Sequence, residues 1–204
     1  MFTVFLVDDD ARVLKALSRM LTAHGRDVRT FASAEQFLME HDPEIPGCAV
    51  LDVAMPGLDG LELQRVLGQK GSRRPIIFIS GQGDVPTSVN AMKAGAVDFL
   101  TKPLRDKHLL EAIARAEQTD AAARKARAEL SSIQAKVETL TPREREVLSH
   151  VVAGRLNKQI AADLGTVEKT VKVHRGRMME KLGVRTVADL VRLAEKIGVQ
   201  ISKS

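Results

Sequence analysis

The stretch Val50-Leu51-Asp52-Val53-Ala54-Met55-Pro56 runs from apolar residues straight into one carboxylate, and a Met-Pro break follows almost at once. Such a run reads as a strand buried on both faces whose last residue emerges at the edge of a sheet. Alone, an Asp in that place is most often a cap or a turn residue. Three further runs change the reading. Phe2-Thr3-Val4-Phe5-Leu6-Val7 runs into Asp8-Asp9-Asp10, Ile76-Ile77-Phe78-Ile79 into Ser80, and Val97-Asp98-Phe99-Leu100-Thr101 into Lys102-Pro103. In an open parallel sheet these C-terminal ends lie side by side, at the crevice where such folds place their chemistry.

Working outward from Asp52, strands and helices alternate. Ala11 to Ala23 has apolar residues at helical spacing, with Asp10 placed to cap it. A strand over Val28 to Phe31 precedes a helix opened by Ser33, and a helix over Leu61 to Leu67 follows the Met-Pro break. Val85 to Lys93 is helical and stops at Gly95, and Leu104 opens a fifth helix. Five strand-then-helix repeats imply a parallel α/β sheet with helices on both faces.

From about Asp106 to Glu138 the chain is rich in Ala, Lys, Arg, Glu and Gln, without Pro or Gly. That composition favours one long helix. Leu130, Ile133, Val137 and Leu140 approach heptad spacing, but Asp120, Arg124 and Arg127 interrupt the seam. An exposed connecting helix is expected over 119–138 rather than a coiled coil. Beyond it the pattern is all helical. Thr141-Pro142-Arg143-Glu144 carries a cap, a Pro at the first helical position and a Glu three residues after the cap. A short helix, Lys158 to Leu164, and a longer one, from about Val167 to Leu182, follow, separated by Gly165, and a last helix spans Thr186 to Lys196. Two helices joined by a Gly-containing turn, the second one basic, form a helix-turn-helix pattern.

Charge follows this division. Residues 1–110 hold 13 Lys and Arg against 14 Asp and Glu, residues 111–138 hold 5 and 5, and residues 139–204 hold 13 and 7. The net charge of +5 therefore resides in the C-terminal block, which points to a polyanion as its partner. No run approaches the roughly 18 apolar residues that span a bilayer, and the first residues enter a strand rather than a signal peptide. The single cysteine, Cys48, lies in a strand and reads as a core hydrophobe, so a reducing cytoplasm is the expected location. With no Trp or Tyr, stacking of single-stranded nucleic acid is disfavoured.

Asp8, Asp9 and Asp52 brought together would repel one another unless a cation sits among them. Oxygen ligands without His or Cys suit Mg2+, which binds through few carboxylates and keeps several waters. With Lys102 and Ser80 on the opposite side, the arrangement suits phosphoryl transfer to a carboxylate. Gly81-Gln82-Gly83 is only faintly like a nucleotide loop, since it lacks the third Gly and follows the wrong strand.

From Val7-Asp8-Asp9 through Asp52 to Lys102-Pro103 the chain resembles the receiver domain of bacterial two-component response regulators. The resemblance implies a flavodoxin-like, doubly wound five-stranded parallel sheet of order 2-1-3-4-5. It implies that Asp52 is the phosphoacceptor, that Asp9 and Asp52 ligate Mg2+ directly and that Asp8 acts through water. It further implies a metal contact from the Ala54 carbonyl, phosphate contacts from Ser80 and Lys102, a switch formed by Ser80 and Phe99, and a cis Lys102-Pro103 bond.

The C-terminal block resembles the LuxR-type helix-turn-helix, a small all-α domain of four helices, and the whole chain resembles the NarL/FixJ group. The residues carrying this are Leu140 to Leu148, Asn157-Lys158-Gln159-Ile160-Ala161, Thr170-Val171-Lys172-Val173-His174-Arg175 and Lys181-Leu182-Gly183-Val184. The resemblance implies that Lys172 and Val173 face bases, while Asn157, Lys158, Thr170, His174 and Arg175 hold phosphates. Against it, Lys172 and Arg175 also read as an ordinary solvated face, whereas an exposed Val173 is hard to explain that way. Recognition helices of this type usually open with Ile-Ser or Val-Ser. Here Thr166-Val167 stands instead, so the cap either moves to Thr166 or is lost.

The expected organisation is a receiver over 1–118, a helical linker over 119–138 and a DNA-binding domain over 139–204. The expected partners are a histidine kinase, promoter DNA, RNA polymerase and, on phosphorylation, a second copy of the chain, with no membrane. Two alternatives remain open from the residues. One is a regulator that binds DNA without phosphorylation. The other is a Mg2+-dependent phosphatase with an aspartyl nucleophile, for which Asp10, two residues after Asp8, would be the acid.

Overall fold

A computed structural model describes residues 2–81 and 85–198. Gln82 and Gly83 of the Gly81–Gly83 stretch, and residues 199–204 of the C-terminal block, lie outside the described residues. The chain divides into two compact units, Met1–Arg124 and Lys125–Ser204.

The first unit alternates β1 (Thr3–Val7), α1 (Ala11–Ala23), β2 (Asp27–Phe31), α2 (Ala34–Glu40), β3 (Gly47–Asp52), α3 (Gly60–Gln69), β4 (Ile76–Ser80), α4 (Val85–Lys93) and β5 (Asp98–Thr101), and then enters α5 (Asp106–Glu138). The five strands are parallel in the order β2-β1-β3-β4-β5. Successive side chains of the central strands go to opposite faces, as the pleat requires. Phe5, Val7, Ala49, Leu51 and Phe78 pack with Phe37, Leu63 and Leu67 of α2 and α3. Val4, Leu6, Cys48, Val50, Ile77 and Ile79 pack with Leu14 and Leu21 of α1 and with Leu109, Ala112 and Ile113 of α5. Both faces are apolar, so the strands read as continuous hydrophobic runs.

Local signals set the helix starts. Asp10 caps α1 by accepting from the Arg12 N–H, and Ser33 caps α2 by accepting from the Gln36 N–H. Asp59 and Glu62 form a reciprocal capping box on α3. Two expected boundaries move inward: β5 begins at Asp98 rather than Val97, and α5 at Asp106 rather than Leu104. The cis Lys102-Pro103 peptide lies between them, and its Pro has no N–H to give a helix.

The long helix α5 is continuous over 33 residues, but its later part is not uniformly exposed as expected. Asp120 is buried and takes the Arg124 Nε at 2.9 Å, while Arg124 also donates to the carbonyls of Pro43, Glu44 and Ile45. Arg74, buried over the Phe5 ring, donates to the carbonyls of Asp42 and Ile45. Ile133 is also buried.

The second unit contains α6 (Pro142–Val152), α7 (Asn157–Asp163), α8 (Glu168–Leu182) and α9 (Val187–Lys196). Val147, Leu148, Val151, Ile160, Val171, Met178, Leu182 and Leu190 form its core. Thr141 and Glu144 form the expected capping box with Pro142 at the first position. Glu144 is buried and also accepts from Lys181 Nζ at 2.7 Å, joining α6 to α8. At the start of α8 the cap falls on Val167, with no side-chain bond, so the capping interaction is lost rather than moved to Thr166. Gly183, at φ +71°, closes the helix in the left-handed conformation.

Hydrogen bonds from Lys181 and from the Thr141 backbone hold Glu144 below the ordinary carboxylate value of 4.5. Its contribution is therefore fully present above that value and is lost as pH falls through the lowered one. Glu144→Gln should keep the capping geometry yet weaken the second unit by about 1–3 kcal/mol at neutral pH. Amide exchange over α6 and α8 should show the two chains converging once the pH drops below 4.5. A difference that persisted in acid would contradict this role.

Candidate functional site

The ends of β1, β3 and β5 deliver three charged side chains to one point. Asp8 follows β1 directly and Asp52 is the last residue of β3. Both are almost fully buried, at 2% and 4% exposure. Lys102 follows β5 and places its Nζ 2.9 Å from Asp8 Oδ2 and 2.6 Å from Asp52 Oδ1. The second oxygen of each carboxylate accepts from backbone. The Asp10 N–H donates to Asp8 Oδ1 at 2.9 Å, and the Ala54 N–H donates to Asp52 Oδ2 at 2.8 Å.

Asp8 and Lys102 are shifted by their surroundings. Burial pushes the Asp8 carboxyl above its ordinary value, against the hydrogen bonds from Lys102 and the Asp10 backbone, and the Asp52 charge adds to the rise. For Lys102 burial works against the ammonium, but hydrogen bonds to Asp52 and Asp8 together with their charges outweigh it, and its pKa is raised. One half-buried cation thus serves two buried anions.

The surrounding backbone is shaped for this. The Val53 N–H donates to the Ile79 carbonyl and the Lys102 N–H to the Ser80 carbonyl, so β3, β4 and β5 hold register up to the site. Gly60 opens α3 with its N–H on the Val53 carbonyl. A Cβ at Gly60 would meet the Asp52 carbonyl oxygen at 2.3 Å, so only glycine lets α3 start against the phosphoacceptor candidate. Glu35 of α2 accepts the Leu58 N–H at 3.1 Å and steadies the loop after Asp52. Neither Gly60 nor Glu35 was singled out from the sequence. The glycines of Pro56-Gly57-Leu58-Asp59-Gly60 were the available signal for the first. The second depends on a contact 23 residues away and has no local signature.

The other expected residues take distinct places. Ser80 is buried at the end of β4, in register with Thr101. Phe99 is half-buried, its ring centroid 6.2 Å from that of Phe78. Asp9 and Ala54 are exposed beside the buried pair. Asp10 faces away in function. It caps α1 and pairs with Arg12, whose side-chain hydrogen bond leads the effects that hold its carboxyl at about 2. Among the described residues, no three His, Cys, Asp or Glu side chains close around a point as a ready chelate. Two carboxylates facing one lysine, with a third acid exposed alongside, still match an ion that needs only one or two carboxylates and retains water.

The second candidate surface lies in the C-terminal unit, on α7 and α8. Lys158, Lys172 and Val173 are exposed, and Asn157, Thr170, His174 and Arg175 are half-buried. Arg175 Nη1 donates to Asn157 Oδ1 at 3.0 Å, which ties α8 to α7 and orients both side chains. Lys172 has only a loose exposed pairing with Glu168, at 3.7 Å. Val173 is 46% exposed on this polar helix.

Residues 4–114 match the response regulator receiver domain family, and residues 138–194 match the luxR family of bacterial regulatory proteins. The chain is 44% identical over 196 residues to nodulation protein W of Bradyrhizobium diazoefficiens, covering 96% of this chain and 86% of that protein. It is 46% identical over 193 residues to the transcriptional regulatory protein FixJ of Rhizobium meliloti, covering 95% of each. The solved structure of the response regulator StyR superposes with a TM-score of 0.85 at 47% identity, covering 96% of this chain and 98% of that one.

The Asp8–Lys102–Asp52 geometry carries its own test. Lys102→Met leaves two facing buried carboxylates without their cation, and should destabilise the first unit by about 1–3 kcal/mol at neutral pH. Asp8, already raised, then rises further, so the folded state binds the extra proton and stability increases as the pH is lowered. Urea denaturation from neutral to mildly acid pH should recover part of the loss. A loss independent of pH would show that the two carboxylates do not interact through Lys102.

Proposed function

Since the chain belongs to the two-component response regulators of the NarL/FixJ group, transcriptional regulators that join a receiver to a LuxR-type DNA-binding domain, we propose that a histidine kinase phosphorylates it on Asp52. The observation that carries this reading is the buried Asp52 carboxylate held between Lys102 Nζ and the Ala54 N–H. Two donors fix its orientation, and lone pairs remain on both oxygens for attack at phosphorus. An Asp52 oxygen forms the new P–O bond while the bond to the kinase's histidine nitrogen breaks, and that nitrogen keeps the electron pair. Lys102 stays beside the acceptor and neutralises the charge of the phosphoryl oxygens. Asp9 and Asp52, with Asp8 through water and the Ala54 carbonyl, would hold Mg2+. The ion supplies further neutralisation of the phosphoryl oxygens when bound.

The readout is DNA binding by the C-terminal domain, with 1–118 as receiver, 119–138 as helical linker and 139–204 as the DNA-binding domain. Lys172 and Val173 read bases, while Asn157, Lys158, Thr170, His174 and Arg175 hold phosphates. Phosphate alters affinity only by biasing an element with two states. The element proposed is α4 with β5: Ser80 moves toward the phosphoryl group and Phe99 fills the space it leaves. Exposed Val85, Val89 and Met92 on α4 supply an apolar face on which two receivers pair. Pairing brings two DNA-binding domains to adjacent half-sites and raises their effective concentration. RNA polymerase is a further partner of the DNA-bound form, and the cytoplasm is the proposed location. Among the described residues no helix is long and apolar enough to cross a membrane.

The phosphatase alternative requires Asp10 as a proton donor. Its carboxyl, capping α1 and held at about 2, has no proton to give at neutral pH.

Asp52→Asn should abolish labelling by a small-molecule phosphodonor while leaving the circular dichroism spectrum unchanged; label on another residue would sink the assignment. Lys172→Ala should weaken DNA binding roughly tenfold and leave labelling and phosphate-dependent pairing intact. Ser80→Ala should do the reverse, sparing unstimulated DNA affinity and blunting the gain on phosphorylation. A full gain in Ser80→Ala would eliminate this coupling route.

A further inference from the structure

Gly176 stands in the middle of α8, where glycine is the least favourable residue short of proline. The fold gives no reason for it. Its φ is not in the left-handed region, unlike that of Gly183 at the end of the same helix. A Cβ built on it meets nothing within 4 Å among the described residues beyond its own helix, unlike Gly60, where a Cβ would strike the Asp52 carbonyl. Alanine at 176 would therefore be accommodated without strain and would strengthen the helix.

What surrounds Gly176 is an outward stripe. Glu168, Lys169, Lys172, Val173, Gly176 and Arg177 are all exposed, at spacings that repeat along one side of the helix. Three of the six are cations, and Val173 and Gly176 stand one turn apart between Lys172 and Arg177. A missing side chain on an outward, basic helix face brings the backbone itself to the surface, the circumstance in which glycine permits close approach of a ligand.

We infer that Gly176 is a specificity-determining position: the edge of a base pair in the major groove is received against its Cα, beside Val173. This rests on the DNA-reading role of α8 proposed above. The side chain that is absent here lets α8 seat deeper, so that Lys172 and Val173 reach their bases.

Gly176→Ala separates this from a merely tolerated glycine, because the two effects have opposite signs. The full-length wild type, Gly176→Ala and Gly68→Ala are titrated against a duplex selected on the wild type from a random-sequence pool, and against the unselected pool. Gly68 is a helical glycine of α3 with the same open surroundings and serves as the control. Gly176→Ala should raise the melting temperature of the C-terminal unit by about 4 °C and weaken binding to the selected duplex roughly tenfold. Affinity for the unselected pool, and its dependence on salt, should not change, since no phosphate contact is removed. Gly68→Ala should leave both affinities at the wild-type value. Wild-type affinity of Gly176→Ala for the selected duplex overturns the inference, as does equal weakening on both DNAs or a lower melting temperature. A wild type that does not prefer the selected duplex over the pool would overturn the DNA-reading role of α8 itself, and this inference with it.

Discussion

The Lys102 ammonium, held between the Asp8 and Asp52 carboxylates, is the interaction on which the charged end of the receiver sheet depends. Two carboxylates buried side by side cannot both ionise cheaply, and burial already pushes Asp8 upward. A single cation at hydrogen-bond distance from both makes the pair tolerable. It has to arrive from 50 residues beyond Asp52 and 94 beyond Asp8, so the site exists only when β1, β3 and β5 lie in one sheet with their ends level. The strand order, the register of β3 against β4, and the glycine that lets α3 start against Asp52 all serve that alignment.

Much of this was legible because the fold and the site share one signal. Strands buried on both faces read as unbroken apolar runs, and a polar residue ending such a run marks the sheet edge. Asp8, Asp52, Ser80 and Lys102 each stand at the end of such a run, and the structure brings Asp8, Asp52 and Lys102 together within hydrogen-bond reach. Helix starts were equally local: Asp10, Ser33 and Thr141 all accept from backbone N–H groups as their positions imply. The pattern failed where a tertiary contact decided the outcome. Asp120 and Arg124 read as solvated charges on a connecting helix, yet Asp120 is buried and Arg124 gathers three carbonyls from the segment before β3. No local rule relates residue 124 to residues 43–45.

In the C-terminal unit the missing cap on α8 was legible as an alternative and resolves as a loss. Helix α7 also starts without a side-chain cap, at Leu156, whose backbone N–H is taken by Gln159 instead. Helices of seven and fifteen residues without good caps are held by packing rather than by propensity. Ile160, Val171, Met178 and Leu182 supply that packing, and Lys181 adds its bond to Glu144. The uncapped ends leave backbone N–H groups of α7 and α8 unclaimed by side chains.

The first unit contains two buried ionic clusters, and their composition separates structure from function. Around Arg74, Arg124 and Asp120, cations outnumber the anion, but five hydrogen bonds to backbone carbonyls and the Phe5 ring engage the guanidinium groups, leaving Arg74 Nε without a partner among the described residues. Desolvation lowers the Arg74 pKa only to about 10, so the charge persists and is spent on fixing the segment around residues 42–45. At the other cluster one ammonium faces two carboxylates, and exposed Asp9 adds a third acid. Backbone donors reach one oxygen of each buried carboxylate, yet they do not change the count of charge. The excess charge at this cluster is negative, where that at the first is positive. Under the function proposed above, a divalent cation would supply the missing positive charge, and the site could then accept the further negative charge of a phosphoryl group.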